Sequence, residues 1–162
     1  MNLHIEKMTV NKARHILTWT YEEPYDFYNN EETDAALDEM LDGSYYALLN
    51  EQNDVVGFFC SGKNAQVPIG HQFGVYVDDF VDIGLGMNPN LIGKGNGTAF
   101  CTNILQFIGK HYVGKPTRLT VANFNKRAIH LYEKLGFVKV AEFTSNTTEF
   151  ITMIKKQKIE FF

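Results

Sequence analysis

Apolar and polar residues alternate through LHIEKM near the amino terminus, the period of two expected of a strand with one buried face. In VNKARHILTW the spacing lengthens, and Val10, Ala13, Ile16 and Leu17 fall on one helical stripe. TYEEPYDFYNNEET is dense in aromatic residues but broken by Pro24 and two asparagines, and Thr33 or Asp34 is placed to cap a short helix over DAALDEML. SYYALL and VVGFFCSG, separated by the turn formers NEQND, predict a hairpin. KNAQVPIGHQFGVYV follows neither period and reads as a surface loop with room for one short strand.

FVDIGLGM returns to alternation, with Val81, Ile83, Leu85 and Met87 on one parity and Asp82, Gly84 and Gly86 on the other. Glycines inside a strand pack nothing and mark a bulge or the close approach of another group, so something is expected against that face. After the glycine-rich LIGKGNG, TAFCTNILQFIGKHY supplies a helix with Cys101, Ile104, Leu105 and Ile108 on one stripe, and TRLTVA a strand. NFNKRAIHLYEKLGF predicts a helix opened by Asn123 or Asn125, turning Ala128, Leu131, Tyr132 and Leu135 inward and stopped by Gly136. FVKVAEF and TTEFITMIKK close the chain as a hairpin. The order β-α-α-β-β-β-α-β-α-β-β predicts an α/β protein, a mixed sheet with helices on its faces. No repeat, low-complexity stretch or linker divides it, so a single domain is expected over 1–162.

In NPNLIGKGNGTAF the glycines Gly93, Gly95 and Gly97 alternate and run straight into a helix. Removing Cβ at every second position lets backbone N–H groups converge, and the helix start adds its own unpaired N–H groups, so an anion is the natural guest. A P-loop is excluded because Gly97 is followed by Thr98 rather than lysine. The dinucleotide fingerprint needs two residues between its last glycines, and GKGNG has one. A glycine turn that merely caps a helix, with no ligand, stays open on the loop alone.

Composition narrows the classes. With 162 residues, 44% hydrophobic and 21% charged, the chain suits one globular domain with a real core. The net charge of -4 and the absence of any long basic block leave no electrostatic footprint for nucleic acid. Cys60 and Cys101 sit in apolar runs, as buried thiols of a reducing compartment do, and the five histidines show no metal-ligand spacing, so no metal is expected. The amino terminus lacks a signal-peptide core and no apolar run is long enough to span a bilayer, which points to a cytoplasmic protein with no membrane partner.

MNPNLIGKGNG followed by NKRAIHLYEKLGF resembles the GNAT superfamily of acyl-CoA-dependent N-acyltransferases, whose loop reads Gln/Arg-x-x-Gly-x-Gly/Ala. The likeness is close from Phe80 to Phe143, and the element order extends it over nearly the whole chain; Asn90 stands where the family has Gln or Arg. The resemblance implies a central, mostly antiparallel sheet flanked by helices. It also implies acetyl-CoA as cosubstrate and direct attack by an amine acceptor in a ternary complex. Amides around Leu91, Ile92, Gly93, Lys94, Gly95, Asn96, Gly97 and Thr98 would cradle the pyrophosphate. The pantetheine arm would lie along the backbone near Leu85 and Met87, which would account for the bare face at Gly84 and Gly86.

Asn125 resembles the family asparagine that bonds the pantetheine, with a plain helix cap as the other reading. Tyr132 resembles the tyrosine that protonates the departing thiolate, against a place in the core. Asp82 is the candidate base, against a carboxylate satisfied in loop structure; His71, His130 and Glu23 are weaker candidates. Trp19, Tyr21, Tyr25, Phe27 and Tyr28, with Glu22, Glu23 and Asp26, offer aromatic walls and negative charge for the acceptor, or else form an aromatic mini-core. Transfer to a protein N-terminus, transfer of another acyl group, and a non-catalytic CoA-binding sensor are the competing functions, and a homodimer is left open.

Overall fold

The computed structural model describes residues 2–157. Seven strands follow the hydrogen-bonded order β1-β2-β3-β4-β5-β7-β6, with helices packed on them, and the mixed-sheet expectation is met. The strands are β1 (His4–Lys7), β2 (Tyr45–Leu49), β3 (Val55–Ser61), β4 (Val81–Met87), β5 (Thr117–Ala122), β6 (Val138–Ser145) and β7 (Thr148–Lys155). The helices are α1 (Val10–Leu17), α2 (Asp34–Met40), α3 (Gly97–His111) and α4 (Lys126–Lys134). Pairs β1–β2, β2–β3, β5–β7 and β6–β7 run antiparallel, and β4–β5 runs parallel. The described residues form two compact units, one of 2–60 with Leu85–Asn103, the other of Ser61–Gly84 with 104–157.

In the first unit, Thr9 Oγ1 accepts the Lys12 N–H to open α1, which buries Ala13, Ile16 and Leu17. Burial of Ile16 and Leu17 is worth about 1.5–3 kcal/mol each, more than propensity gives a helix this short. Of the two cap candidates for α2, Thr33 is the one, its hydroxyl accepting the Ala36 N–H. The Tyr45 hydroxyl donates to the Glu39 carboxylate at 2.6 Å and ties α2 to β2. Asn50 shapes the turn between β2 and β3, its Oδ1 accepting from the N–H groups of Gln52 and Asp54.

In the second unit, β4 and β5 pair with Asp82 opposite Arg118 and Ile83 opposite Leu119. Ile83, Ile108, Leu119, Phe137 and Met153 supply its core. Residues 63–77 contain no strand: two 3-10 stretches, Lys63–Ala65 and Pro68–Phe73, replace the one allowed for. Nor is the segment purely superficial. Tyr76 is buried because its hydroxyl accepts the Val67 N–H and bonds Thr120 Oγ1, so ring and polar tip are both accommodated inside.

Candidate active site

β4 ends at Met87, and Asn88 sets the path of the chain beyond it. Its N–H donates to the Val56 carbonyl at 2.8 Å and its Nδ2 to the Val55 carbonyl, while its Oδ1 accepts the Asn90 N–H. Asn96 closes the far side of the loop, donating from Nδ2 to the Leu91 carbonyl. Between them Gly93 (φ 75°) and Gly95 (φ 81°) are left-handed, a conformation glycine adopts without cost. A Cβ built on Gly95 meets nothing within 4 Å, so nothing crowds that position. The Phe100 N–H reaches back to the Asn96 carbonyl, and by helix geometry the amides of Gly97, Thr98 and Ala99 have no acceptor within the helix. Two left-handed glycines thus lead directly into the start of α3.

The face of β4 expected to be bare is filled at Gly86. A Cβ there would lie 2.5 Å from the Phe58 ring, which stacks on Tyr45 and touches Trp19, with centroids 6.1 and 6.4 Å away. Gly86 therefore makes room for a neighbouring side chain, and the explanation by a ligand arm is corrected at that position. Trp19 is 7% exposed and belongs to this ring cluster, as the alternative reading of an aromatic mini-core expects.

Tyr21 turns the other way. Its hydroxyl donates to the Met87 carbonyl at 2.8 Å, and its N–H donates to Asn29 Oδ1 at 2.8 Å. Burial pushes its pKa up to about 12. Tyr25–Tyr28 forms one 3-10 turn in which Tyr25 and Tyr28 are half-buried, Phe27 lies exposed edge-on to Tyr28, and Glu22, Glu23 and Asp26 face solvent.

Asp82 is spoken for. Its Oδ1 accepts Arg118 Nε at 2.6 Å, and its Oδ2 accepts Arg118 Nη2 at 2.7 Å and Gln66 Nε2 at 2.9 Å. Side-chain exposures of 2% for Arg118 and 4% for Asp82 make this a buried, bidentate ion pair, with the guanidinium over the rings of Tyr76 and Phe80. Three accepted hydrogen bonds and a buried countercharge are the arrangement of a satisfied carboxylate. Arg118 was the residue missed: an arginine amid the β-rich TRLTVA was the available signal, but its partner depends on strand register.

His71 Nε2 faces Gln66 Oε1 at 2.8 Å, and because that oxygen only accepts, the nitrogen carries the proton. His130 and Glu23 are exposed. Asn125 is the cap of α4, its Oδ1 accepting the Ala128 N–H at 3.2 Å, whereas Asn123 bonds Glu149 and Lys126. Tyr132 is buried on α4, edge-on to Phe137 at 5.9 Å. Cys60 and Cys101 are buried free thiols, and burial pushes Cys101 up to about 12. Among the described residues no cluster of His, Cys, Asp or Glu is arranged to hold a metal ion, and no helix is long and apolar enough to cross a membrane.

The described pairs other than β4–β5 run antiparallel, and a glycine loop runs from the end of β4 into α3. The acetyltransferase (GNAT) family model matches residues 10–137, and the chain belongs to that family. No curated protein sequence matched it. Among solved structures, it is similar to mutant forms of the spermidine/spermine N-acetyltransferase SpeG from Vibrio cholerae, at 19% identity and TM-score 0.68, covering 96% of this chain and 95% of that one. A chimera of Vibrio cholerae SpeG with hSSAT gives 18% identity and TM-score 0.71, with 95% of each chain covered. A GNAT acetyltransferase from Bacillus anthracis gives 15% identity and TM-score 0.71, covering 95% of this chain and 94% of that one. At these identities the structural likeness is one of fold.

Proposed function

We propose that the protein transfers the acetyl group of acetyl-CoA to a primary amine of a small molecule or peptide, by direct attack in a ternary complex. The observation that carries this is the loop at the end of β4: two left-handed glycines and an open helix start offer converging N–H groups to a pyrophosphate. The open space over Gly95 leaves room for the anion. Amides from Leu91 to Thr98 would hold the phosphates, and the backbone at Leu85 and Met87 the pantetheine arm. Acetyl-CoA supplies the thioester, and what this chain adds is orientation, exclusion of water and proton management. By the likeness of LYEKLGF to the family motif, Tyr132 protonates the departing thiolate, and Asn125 contributes to donor binding beside its capping role. The family match runs through both units, which supports reading them as one transferase domain.

The acceptor is proposed to be an amine carrying further positive charge. From His15 to Gly62 the chain has no Lys or Arg but eleven of its 19 Asp and Glu residues, and similar solved structures bear the names of spermidine and spermine acetyltransferases. Such a stretch draws in cations, while the exposed Phe27 and half-buried Tyr25 and Tyr28 can cover a carbon skeleton. Incubating the protein with acetyl-CoA and a panel of monoamines, polyamines and peptides, while following free thiol, tests the reading. Amine-dependent release is expected. Thiol release no faster than in the absence of protein, whatever the amine, would overturn it and favour a CoA-binding sensor. Tyr132→Phe should lower kcat about a hundredfold with acetyl-CoA affinity kept, the usual worth of a general acid; equal kcat at saturation would remove Tyr132 from the reaction.

A further inference from the structure

We propose that Tyr21 is a positioning residue for the acceptor, a latch that pins the aromatic turn Tyr25–Tyr28 to the end of β4. This rests on the reading of that stretch as the acceptor side. The latch has two ends. The Tyr21 hydroxyl donates to the Met87 carbonyl, across 66 residues of sequence and at the last residue of β4. The Tyr21 N–H donates to Asn29 Oδ1, which closes the segment into a loop just past the aromatic turn. Within that loop the Tyr25 N–H donates to the Glu22 carbonyl and the Asn29 N–H to the Asp26 carbonyl, so the turn moves with its base as one piece.

The location gives the latch its consequence. Asn88, the next residue after Met87, organises the start of the glycine loop. One carbonyl thus references the aromatic turn to the strand from which the anion cradle begins. Transfer by direct attack depends on the amine being held in line with the thioester, and displacements of the order of 1 Å cost about a hundredfold in rate. A phenol suits the task because its hydroxyl is protonated at neutral pH and so remains a donor. Phenylalanine would fill the same space and lose only the bond.

The test compares parent, Tyr21→Phe, Asn29→Ala and Asn29→Asp by backbone hydrogen exchange over residues 20–30 and by steady-state kinetics with each substrate varied in turn. Tyr21→Phe and Asn29→Ala should both speed exchange in that segment and raise the KM for the amine about threefold to tenfold, the range one hydrogen bond's net worth allows. The KM for acetyl-CoA should shift less than that for the amine, since Tyr21 meets the donor side only at the Met87 carbonyl and leaves the loop amides untouched. Asn29→Asp, which keeps the accepting oxygen, should restore parent behaviour. Unchanged exchange in Tyr21→Phe would overturn the latch whatever the kinetics show. Faster exchange with an unchanged amine KM, or with equal shifts for both substrates, would overturn its role in placing the acceptor. A parent that acetylates no amine would overturn the transfer reading and the acceptor role together, with exchange still deciding whether the latch exists.

Discussion

Gly95 carries the sharpest single-residue prediction. At φ 81° it is left-handed, and a Cβ there would meet open space, so a larger residue is opposed by the backbone and not by its neighbours. Gly95→Val should therefore stay folded while the loop relaxes, at a strain of about 1–3 kcal/mol, and its amides turn away from their common focus. Calorimetric titration with CoA should show affinity falling about tenfold or more, and unchanged affinity in a folded variant would remove the loop from phosphate binding. Asp82 is read oppositely, through stability. Asp82→Asn leaves the buried Arg118 without its countercharge and should cost about 3–5 kcal/mol, visible as a large drop in Tm. A variant that melts like the parent yet loses kcat would return Asp82 to the role of base.

At the scale of elements, α4 depends on its cap. With Asn125 Oδ1 holding the Ala128 N–H, Asn125→Ala should cost about 1 kcal/mol and Asn125→Ser almost nothing, because serine caps equally well. Thermal melts separate the pair. If Asn125→Ser keeps the parent's Tm but weakens CoA binding, the amide also serves the ligand; if both properties hold, it is a cap alone. The same helix shows what the sequence makes legible. Its apolar stripe, its stop at Gly136 and a cap at one of two asparagines could all be read from local spacing, as could β4 and the glycine loop, since each depends on neighbours a few residues away. The bond from Tyr21 to Met87, the pairing of Asp82 with Arg118 and the Phe58 ring against Gly86 could not. Each depends on which strands or loops lie side by side, and a shift of one residue in register would send those side chains to the opposite face. Parity placed Asp82 and Gly86 on one face of β4 but was silent about what fills it.

For the whole molecule, the net charge of -4 understates how unevenly charge is distributed. All 15 Lys and Arg lie outside His15 to Gly62, while eleven acids lie inside it, and those from Glu22 through Glu39 face solvent. Exposed charges act over a Debye length of about 8–10 Å at physiological salt, so this segment presents a diffuse negative field more than a set of discrete ion pairs. A field of that kind discriminates by the number of charges on the acceptor. A triamine should be drawn in more strongly than a monoamine of similar length, and salt should erase the difference. Raising sodium chloride from about 0.05 to 0.5 M, which shortens the Debye length from roughly 14 to 4 Å, should raise the KM of the triamine several-fold and that of the monoamine much less. Because acetyl-CoA is an anion approaching a negatively charged protein, its KM should not rise in parallel. Equal salt dependence for the two amines would mean that the acids do not steer the acceptor and that selection rests on the aromatic turn alone.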